Sequence, residues 1–347
     1  MTNYMGISGS STFVAGALHV FFVLLLIHVF FMWPVIAVHG FVERKLGADL
    51  QARVGPNRVG PAGSFQAAAD AIKLLQKRMG GKSAGTEVFW SICQLAALHA
   101  LFASLPLASS LLLVDSDLSI MLPLWSFAAV SACGLLMGTA RNQLPGWLSG
   151  LRGAFQGVSG LFPALISILA VGIHAGGFRW SDILAVQGVL PYQWILVGNP
   201  FLFLSFFVFV ASGMVMLSIA PFDSAWGQAD LGGGVSSHFA GRNRNLSDLV
   251  RSYGKVIWCV LVVSLFLGGA RIPGFHAGHD GALWTGLQLL TVGLKTFSVL
   301  LALSVIGRVM PRVRVDQVSE FSWRVLAPIS LVCLLGTTLW RMGGSLK

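Results

Sequence analysis

The chain has 347 residues, of which 55% are hydrophobic and only 10% are charged, and its net charge is +10. Soluble domains carry about 25% charged residues, so this composition excludes an ordinary soluble protein. The basic residues lie between apolar runs, where they face anionic lipid, and we expect no nucleic-acid partner. The four cysteines lie in separate apolar runs and predict neither a metal site nor a disulfide framework.

Apolar runs of about 20 residues, each long enough to cross a bilayer, recur along the chain. They predict an all-α polytopic membrane protein that forms a single membrane domain over 1–347, with about eight transmembrane helices. Span 1 is expected at 14–38, spans 2–5 within 88–219 and spans 6–8 within 254–341. Span 6 is short, so it could begin earlier in the sequence. The first apolar run is too long for a cleavable signal peptide.

The distribution of Lys and Arg predicts the orientation. Eighteen of the 23 lie in or beside the loops after spans 1, 3, 5 and 7, whereas four lie on the opposite side. Under the positive-inside rule the odd-numbered loops, including loop 5 at 220–253, face the cytoplasm. We therefore expect a multi-pass protein of the inner (cytoplasmic) membrane with both termini on the outer, periplasmic side.

The loop after span 1, residues 41–81, holds the densest group of charges. Glu43, Arg44 and Lys45 form a charged step that we expect just beyond the end of span 1. Residues 55–61 read GPNRVGP, in which two prolines fix φ and two glycines allow tight bends. The sequence therefore predicts a rigid turn here, on the cytoplasmic side.

An amphipathic helix is predicted over 64–79, directly after that turn. Ser64 is a plausible N-cap and Gly80-Gly81 a stop signal. Apolar and charged residues separate at the helical period, and such basic helices lie in the membrane interface or against a partner. The alternative interpretation is an ordinary basic anchor loop.

Three strings in this region resemble one protein family. ERK at 43–45, QARVGPNRVGP at 51–61 and QAAADAIK at 66–73 are similar to the signature of the membrane subunit of respiratory complex I that lies next to the quinone. This is the H subunit of NADH-quinone oxidoreductase, called NADH dehydrogenase subunit 1 in mitochondria. Further similarities include Pro221-Phe222-Asp223, and they extend weakly over most of the chain. The match is long, ordered and rich in Gly, Pro and Arg, which makes chance a poor explanation.

The resemblance implies a role in a larger complex. Members of this family anchor a soluble arm of iron–sulfur and quinone-module subunits. They contact antiporter-like and small membrane subunits in the lipid, and they form one side of a shared quinone chamber. By resemblance this chain binds no flavin or iron–sulfur cluster itself, and it holds no metal or catalytic residue of its own. The residues implied for the chamber wall and arm docking are Glu43, Arg44, Lys45, Arg53, Pro56, Asn57, Arg58, Phe222 and Asp223.

Loop 5 departs from the family pattern. Three family glutamates fall on Trp226, Gln228 and Asp230, and a fourth falls on His238. A glutamate of the fourth span falls near Leu161. Carboxylates near a membrane bind and release protons, so their loss predicts weakened or altered proton coupling. The remaining candidates for a proton path are Asp230, His238 and Lys295.

Two other groups of polar residues lie within the spans. Lys295 is the only lysine well inside a span, and it is either a proton relay or a side chain that snorkels to the interface. His19, His28, His99 and His174 lie in spans and raise a haem hypothesis. His28 and His39 share a face of span 1, but no second helix offers a matching pair. We therefore expect histidines that are hydrogen-bonded singly within the bundle.

Two function classes besides a complex I-like subunit stay open. One is a subunit of a membrane-bound hydrogenase or formate-oxidising complex, whose homologous subunit shares the fold. The other is a non-catalytic scaffold or ion-transport subunit, which the missing glutamates favour. The intact string at 51–61 favours the complex I-like subunit.

Overall fold

The computed structural model describes residues 22–78, 84–140, 143–224, 234–235, 239–274 and 281–345. All regular structure in these ranges is helical. Apart from short turns such as Ile195–Gly198, the helices are α1 Phe22–Asp49, α2 Gln66–Gln76, α3 Ala84–Ser104, α4 Leu122–Thr139, α5 Leu144–Ala175, α6 Trp180–Val186, α7 Pro200–Met216, α8 Arg242–Phe266, α9 Ala282–Val309, α10 Val315–Phe321 and α11 Ala327–Ser345. A π-turn over Ser322–Leu326 joins α10 to α11 in one rod.

Seven of the described helices are long and apolar enough to cross a membrane, with α10 and α11 counted as one rod. The eighth apolar helix, α7, has 17 residues and falls just short. Its run is divided at Asn199, whose side chain accepts a hydrogen bond from the Phe201 amide at 3.0 Å and caps the helix before Pro200. The polytopic all-helical fold with about eight apolar helices is therefore confirmed.

Helix α8 lies at the centre of the bundle. From Val256 to Phe266 all of its side chains are buried, because this segment is apolar on every side. The indole of Trp258 stacks on Phe209 of α7 at 4.4 Å between ring centroids and meets Phe127 of α4 edge-on at 5.3 Å. The helix begins at Arg242, twelve residues before the predicted start of span 6.

Two local predictions in the first loop were wrong. Glu43, Arg44 and Lys45 do not follow the end of a helix, since α1 continues to Asp49 through residues that favour helix. Ser64 does not cap α2: the helix begins at Gln66, and its N-cap residue Phe65 makes no side-chain capping bond. Gly80-Gly81, the expected stop signal, lie outside the described residues.

The turn at 55–63 has a fixed shape. Gly60 and Gly63 adopt φ of +73° and +83°, the left-handed region that favours glycine. A Cβ on Gly63 would lie 2.2 Å from the Pro56 carbonyl oxygen, and one on Gly60 would lie 2.2 Å from the Phe65 ring. Only glycine fits at either position, as the predicted rigid turn requires.

Candidate functional site: a charged cavity near the amphipathic helix

A cavity of about 390 Å³ opens between three helices of the bundle and the chain segments beside them. Its walls come from α1, the chain just after α7, the first half of α8 and the C-terminal half of α9. The charged and titratable residues that line it are His39, Glu43, Asp223, Arg244, Arg251, Lys255, Arg308 and Arg312. Two predicted site residues, Glu43 and Asp223, therefore line one cavity.

Glu43 forms the centre of a charge cluster that joins three helices. Its carboxylate lies 3.5 Å from the ammonium of Lys255 on α8 and 4.0 Å from the guanidinium of Arg308 on α9. One turn earlier on α1, the imidazole of His39 lies 3.5 Å from the same carboxylate and is 3% exposed. Residues four apart share a face of a helix, which places His39 beside Glu43.

Asp223 is held by the turn that follows α7. Its carboxylate pairs with the guanidinium of Arg312 at 2.9 Å. The amide of Gln156 on α5 donates to the Val215 carbonyl at 2.8 Å and also to the Phe222 carbonyl, while its oxygen accepts from the Ser224 hydroxyl at 2.8 Å. One buried glutamine thus bonds to the residues on both sides of Asp223.

Phe222, the third predicted residue of this region, packs differently. Its ring stacks on Phe321 of α10, with 5.8 Å between centroids and 16° between planes. The Val313 amide donates to the Pro221 carbonyl at 3.1 Å, so the start of loop 5 is bonded to the segment before α10. Loops 5 and 7 are therefore joined at these residues.

Arg44 faces away from the cavity and holds the amphipathic helix. Its guanidinium donates to Asp70 of α2 at 2.6 Å, and the Gln66 amide donates to the same carboxylate at 3.0 Å. Partial burial opposes ionisation of Asp70, but these hydrogen bonds outweigh it and lower the pKa of the carboxyl. Lys73 lies 3.6 Å from that carboxylate.

A larger groove of about 710 Å³ runs between α2, α1 and α8. Its lining is mostly apolar, with Trp33 and Ile36 on α1 and Ile72 on α2, and Arg44 lies at its edge. The Arg242 guanidinium donates to the Leu75 carbonyl at 3.1 Å and so ties the end of α2 to α8. The predicted amphipathic helix is present, with none of its residues fully buried.

The remaining first-loop candidates do not reach the cavity. Arg53, Asn57 and Arg58 are exposed on the turn after α1, and Pro56 is half-buried beneath it. Lys45 points its ammonium at the Phe41 ring, 6.0 Å from the centroid. These residues form a basic surface next to the amphipathic helix and do not line the cavity.

Lys295 lies elsewhere, at the end of α8. Its ammonium donates to three backbone carbonyls just beyond that helix: those of Leu267 at 2.9 Å, Gly269 at 3.0 Å and Arg271 at 3.1 Å. It also lies 4.5 Å from the centroid of the Trp194 ring. A lysine ammonium has three protons, so this arrangement uses all of its donors. A part in a proton path stays a prediction for Lys295.

Two proton-path candidates, Asp230 and His238, lie outside the described residues, as do Trp226 and Gln228. Leu161, near which the resemblance implies a glutamate, is described, and it packs against the hydrophobic core. No titratable group stands at that position of α5.

The sequence analysis missed the cations around Glu43. It counted Lys255, Arg251 and Arg308 only as orientation signals, because their spacing along the chain gives no sign that they meet on α1. His39 was considered only as a haem ligand. Its spacing of four residues before Glu43 was the one available signal for the pair.

The arrangement couples the charge of one carboxylate to three helices. If Glu43 were neutral, Lys255 and Arg308 would lose their shared counter-charge in a partly buried site. A change of charge in the cavity would therefore alter the forces between α1, α8 and α9. Arg244 pairs with Asp248 at 3.0 Å. The other four cations of the cavity lining share it with two carboxylates, those of Glu43 and Asp223.

These features define a multi-pass helical membrane protein with a charged cavity beside an amphipathic helix. The sequence profile described as NADH dehydrogenase matches residues 21–338, and the chain belongs to that family. Relatives named as the H subunit of NADH-quinone oxidoreductase include those of Anaeromyxobacter dehalogenans, 29% identical over 319 residues (86% of this chain, 76% of the relative), and Dehalococcoides mccartyi, 30% identical over 301 residues (86% and 80%).

A solved structure shares the fold. The membrane-bound sulfane sulfur reductase, described as an archaeal respiratory membrane complex, contains a chain that superposes with a TM-score of 0.80 at 19% identity. The superposition covers 92% of this chain and 99% of that one. Together with the family match, the relatives indicate that this protein is a membrane subunit of a complex I-like oxidoreductase.

Proposed function

We propose that this protein forms one wall of a quinone chamber and anchors the soluble electron-transfer arm of its complex. The observation that carries the proposal is the cavity in which Glu43 and Asp223 lie among cations of α8, α9 and the loop before α10. A quinone becomes more anionic as it accepts electrons, and a cationic wall stabilises negative charge. Quinone is the only cofactor proposed, and it belongs to the complex as a whole.

Arm anchoring is supported by the basic surface around Arg53 and Arg58. The turn beneath these residues is fixed by its glycines, and α2 is fastened to α1 and α8 through Asp70 and Leu75. A rigid basic surface suits acidic protein partners on the cytoplasmic side. The proposed partners are iron–sulfur and quinone-module subunits of the arm, with antiporter-like and small membrane subunits beside the bundle.

We further propose that proton coupling through this protein is weakened or altered. Leu161 packs against the hydrophobic core near a position where the resemblance implies a glutamate, and it cannot carry a proton. The same observation favours the second candidate function, a non-catalytic scaffold or ion-transport subunit. In both cases the protein lies in the cytoplasmic membrane with its termini outside.

The experiment starts from the complex purified through a tag on this chain. Glu43→Gln keeps the shape of the side chain but removes the counter-charge that holds Lys255 and Arg308 in position in the wall. We therefore expect at least a tenfold loss of NADH-driven reduction of a soluble quinone analogue. Glu320→Gln is the matched control, because the Glu320 carboxylate is exposed and pairs with Arg324, four residues later in the sequence. Its activity should stay within twofold of the wild type.

Two results contradict the proposal. If no iron–sulfur subunits co-purify with the wild-type chain, the anchoring role is wrong. If they do co-purify and Glu43→Gln reduces quinone as fast as Glu320→Gln, the cavity is not the chamber wall. Quinone reduction without proton translocation in reconstituted vesicles would support the altered coupling, whereas a complex that does not reduce quinone would favour the scaffold or ion-transport function.

A further inference from the structure

One buried histidine of the charged cavity makes no hydrogen bond to any residue that the structure describes. His39 lies on α1, lines the cavity and is 3% exposed. Its Nε2 lies 3.5 Å from the Glu43 carboxylate, which is longer than an ordinary hydrogen bond. Buried polar groups of folded proteins are almost always hydrogen-bonded, so we expect this imidazole to find a partner in the cavity.

Two other histidines of the spans are held differently. His28 and His99 each donate from Nδ1 to the carbonyl oxygen four residues earlier, both at 2.7 Å. Their rings also stack at 4.7 Å between centroids, so the expectation of histidines placed singly was wrong for this pair. His39 does not use this common bond, because its ring lies toward Glu43 in the following turn. The side chain of His39 is therefore not tied to its own helix.

The contacts between α1 and α9 show what surrounds His39. These helices approach each other closely at two levels, Phe31 with Gly293 and Gly47 with Arg308. The order of the two levels is the same along both helices, which therefore run in the same direction. His39 lies midway between the levels and is opposite Leu300. Leu300 and Leu303 are 1% and 4% exposed, and both line the cavity. At the level of His39 the cavity thus has an apolar wall.

A polar ring among leucines suits a flat ligand that carries oxygen. Pockets for such ligands are mostly apolar, with a few polar groups that fix the orientation. A neutral imidazole has one donor and one acceptor, so it can donate to a quinone carbonyl or accept from a quinol hydroxyl. The Lys255 ammonium and the arginine side chains of the lining can only donate. His39 can therefore bind both redox states of the ring.

The ring of His39 needs a small rotation to make this bond. Both of its nitrogens are covered by protein in the empty cavity. The torsion about the Cβ–Cγ bond of histidine is soft, so the ring can turn a nitrogen toward a group that enters the cavity. Because no hydrogen bond to a described residue has to be broken, this rotation costs little.

We propose that His39 forms a hydrogen bond to a ring oxygen of the quinone and holds the ring against Leu300 and Leu303. The proposal rests on the quinone chamber proposed above and assigns the side chain that binds the ring within it. Glu43 and its cations lie one turn further along α1, where they provide the charged part of the wall. Water is the competing partner for the imidazole.

The first test is photolabelling of the complex purified through a tag on this chain. The probe is a benzoquinone with an azide on the ring and a short alkyl tail. The first Lys or Arg of the chain is Arg44, so trypsin leaves most of α1 in one peptide that ends there. Label should fall on His39 or Glu43, and excess quinone without the azide should prevent it. Label confined to Ile36 and Gly40, which line the groove beside α2, or no label in this peptide, overturns the proposal.

Steady-state kinetics with a soluble quinone analogue provides the second measurement. His39→Leu removes the hydrogen bond and should raise KM about fivefold with kcat within about twofold of the wild type. His39→Gln keeps a donor and an acceptor, and its KM should stay within about twofold of the wild type. His99→Leu is the matched control in another span and should leave KM unchanged. Equal KM values for His39→Leu and His99→Leu, or an equal rise for both His39 variants, overturns the proposal.

Glu43→Gln separates this proposal from the chamber on which it rests. If Glu43→Gln loses quinone reduction while His39→Leu has the KM of His99→Leu, the chamber stands and the role of His39 is wrong. If neither Glu43→Gln nor His39→Leu affects quinone reduction, the chamber proposal is wrong and His39 has no quinone to bind. Should His39→Leu fail to assemble, the position of the label in the wild-type chain decides.

Discussion

Lys295 offers the sharpest test of a structural role inside the membrane. Replacing it with Met keeps the length of the side chain but removes three hydrogen bonds to the carbonyls that end α8. An unpaired buried carbonyl costs about 1 kcal/mol, and loss of the cation–π contact with Trp194 costs about 1 kcal/mol more. We therefore expect Lys295→Met to destabilise the chain by about 4 kcal/mol.

The assay is thermal unfolding of the full-length chain in mild detergent, followed by intrinsic fluorescence. At about 2 °C per kcal/mol for a chain of this size, the transition should fall by roughly 8 °C. Ser298→Ala is the control on the same helix, because the Ser298 hydroxyl is exposed and bonds to the Lys295 carbonyl at 2.7 Å. It should shift the transition by less than about 1 °C.

A clear result would refute this reasoning. If Lys295→Met unfolds at the wild-type temperature, the three carbonyls do not depend on the ammonium. If such a stable variant also stops ion translocation in a reconstituted complex, the lysine acts as a proton relay. A less stable variant that still translocates ions once assembled would support the capping role.

The remaining predictions concern the first loop and its predicted cytoplasmic location. Reversing Arg53 and Arg58 together to Glu should release the soluble arm on a native gel, whereas an intact complex with both changes would exclude docking there. A cysteine at Asn57 should react with a membrane-impermeant maleimide only in inverted vesicles, and labelling in intact cells would reverse the orientation. Asp70→Asn should raise hydrogen exchange over 66–76 several-fold, because an exposed ion pair contributes up to about 1 kcal/mol. Since hydrogen bonding lowers the pKa of Asp70, its contribution is present above the ordinary carboxyl pKa and is lost as the pH falls through the lowered value.

The sequence predicted the helices well and their charged contacts poorly. Apolar runs identify membrane spans because an apolar stretch of about 20 residues without charge is long enough to cross the bilayer as a helix and forms few other structures. The partners of Glu43 could not be found in this way, because Lys255 and Arg308 lie more than 200 residues away in sequence. Helix ends were also missed: α1 continues to Asp49 because its charged residues find partners on α2, α8 and α9.

The candidate site was predicted in part. Family strings brought Glu43, Arg44 and Asp223 to attention, and two of these line the cavity while Arg44 faces α2. Arg53 and Arg58 share a string with them but lie on the exposed turn. A sequence motif identifies residues that recur together in a family. It does not give the direction of each side chain, because that direction depends on where the helix ends, which local sequence does not determine.

The glycine turn at 55–63 has a consequence for how fast and how tightly a partner binds. A loop that is disordered before binding loses conformational freedom when a partner captures it, at a cost of about 1–2 kcal/mol for each residue that becomes fixed. Here Gly60 and Gly63 allow the chain to pack against Phe65 and Pro56 in the free protein. A protein that binds this surface meets a shape already formed, so contact energy at Arg53 and Arg58 is converted into affinity with little entropic loss.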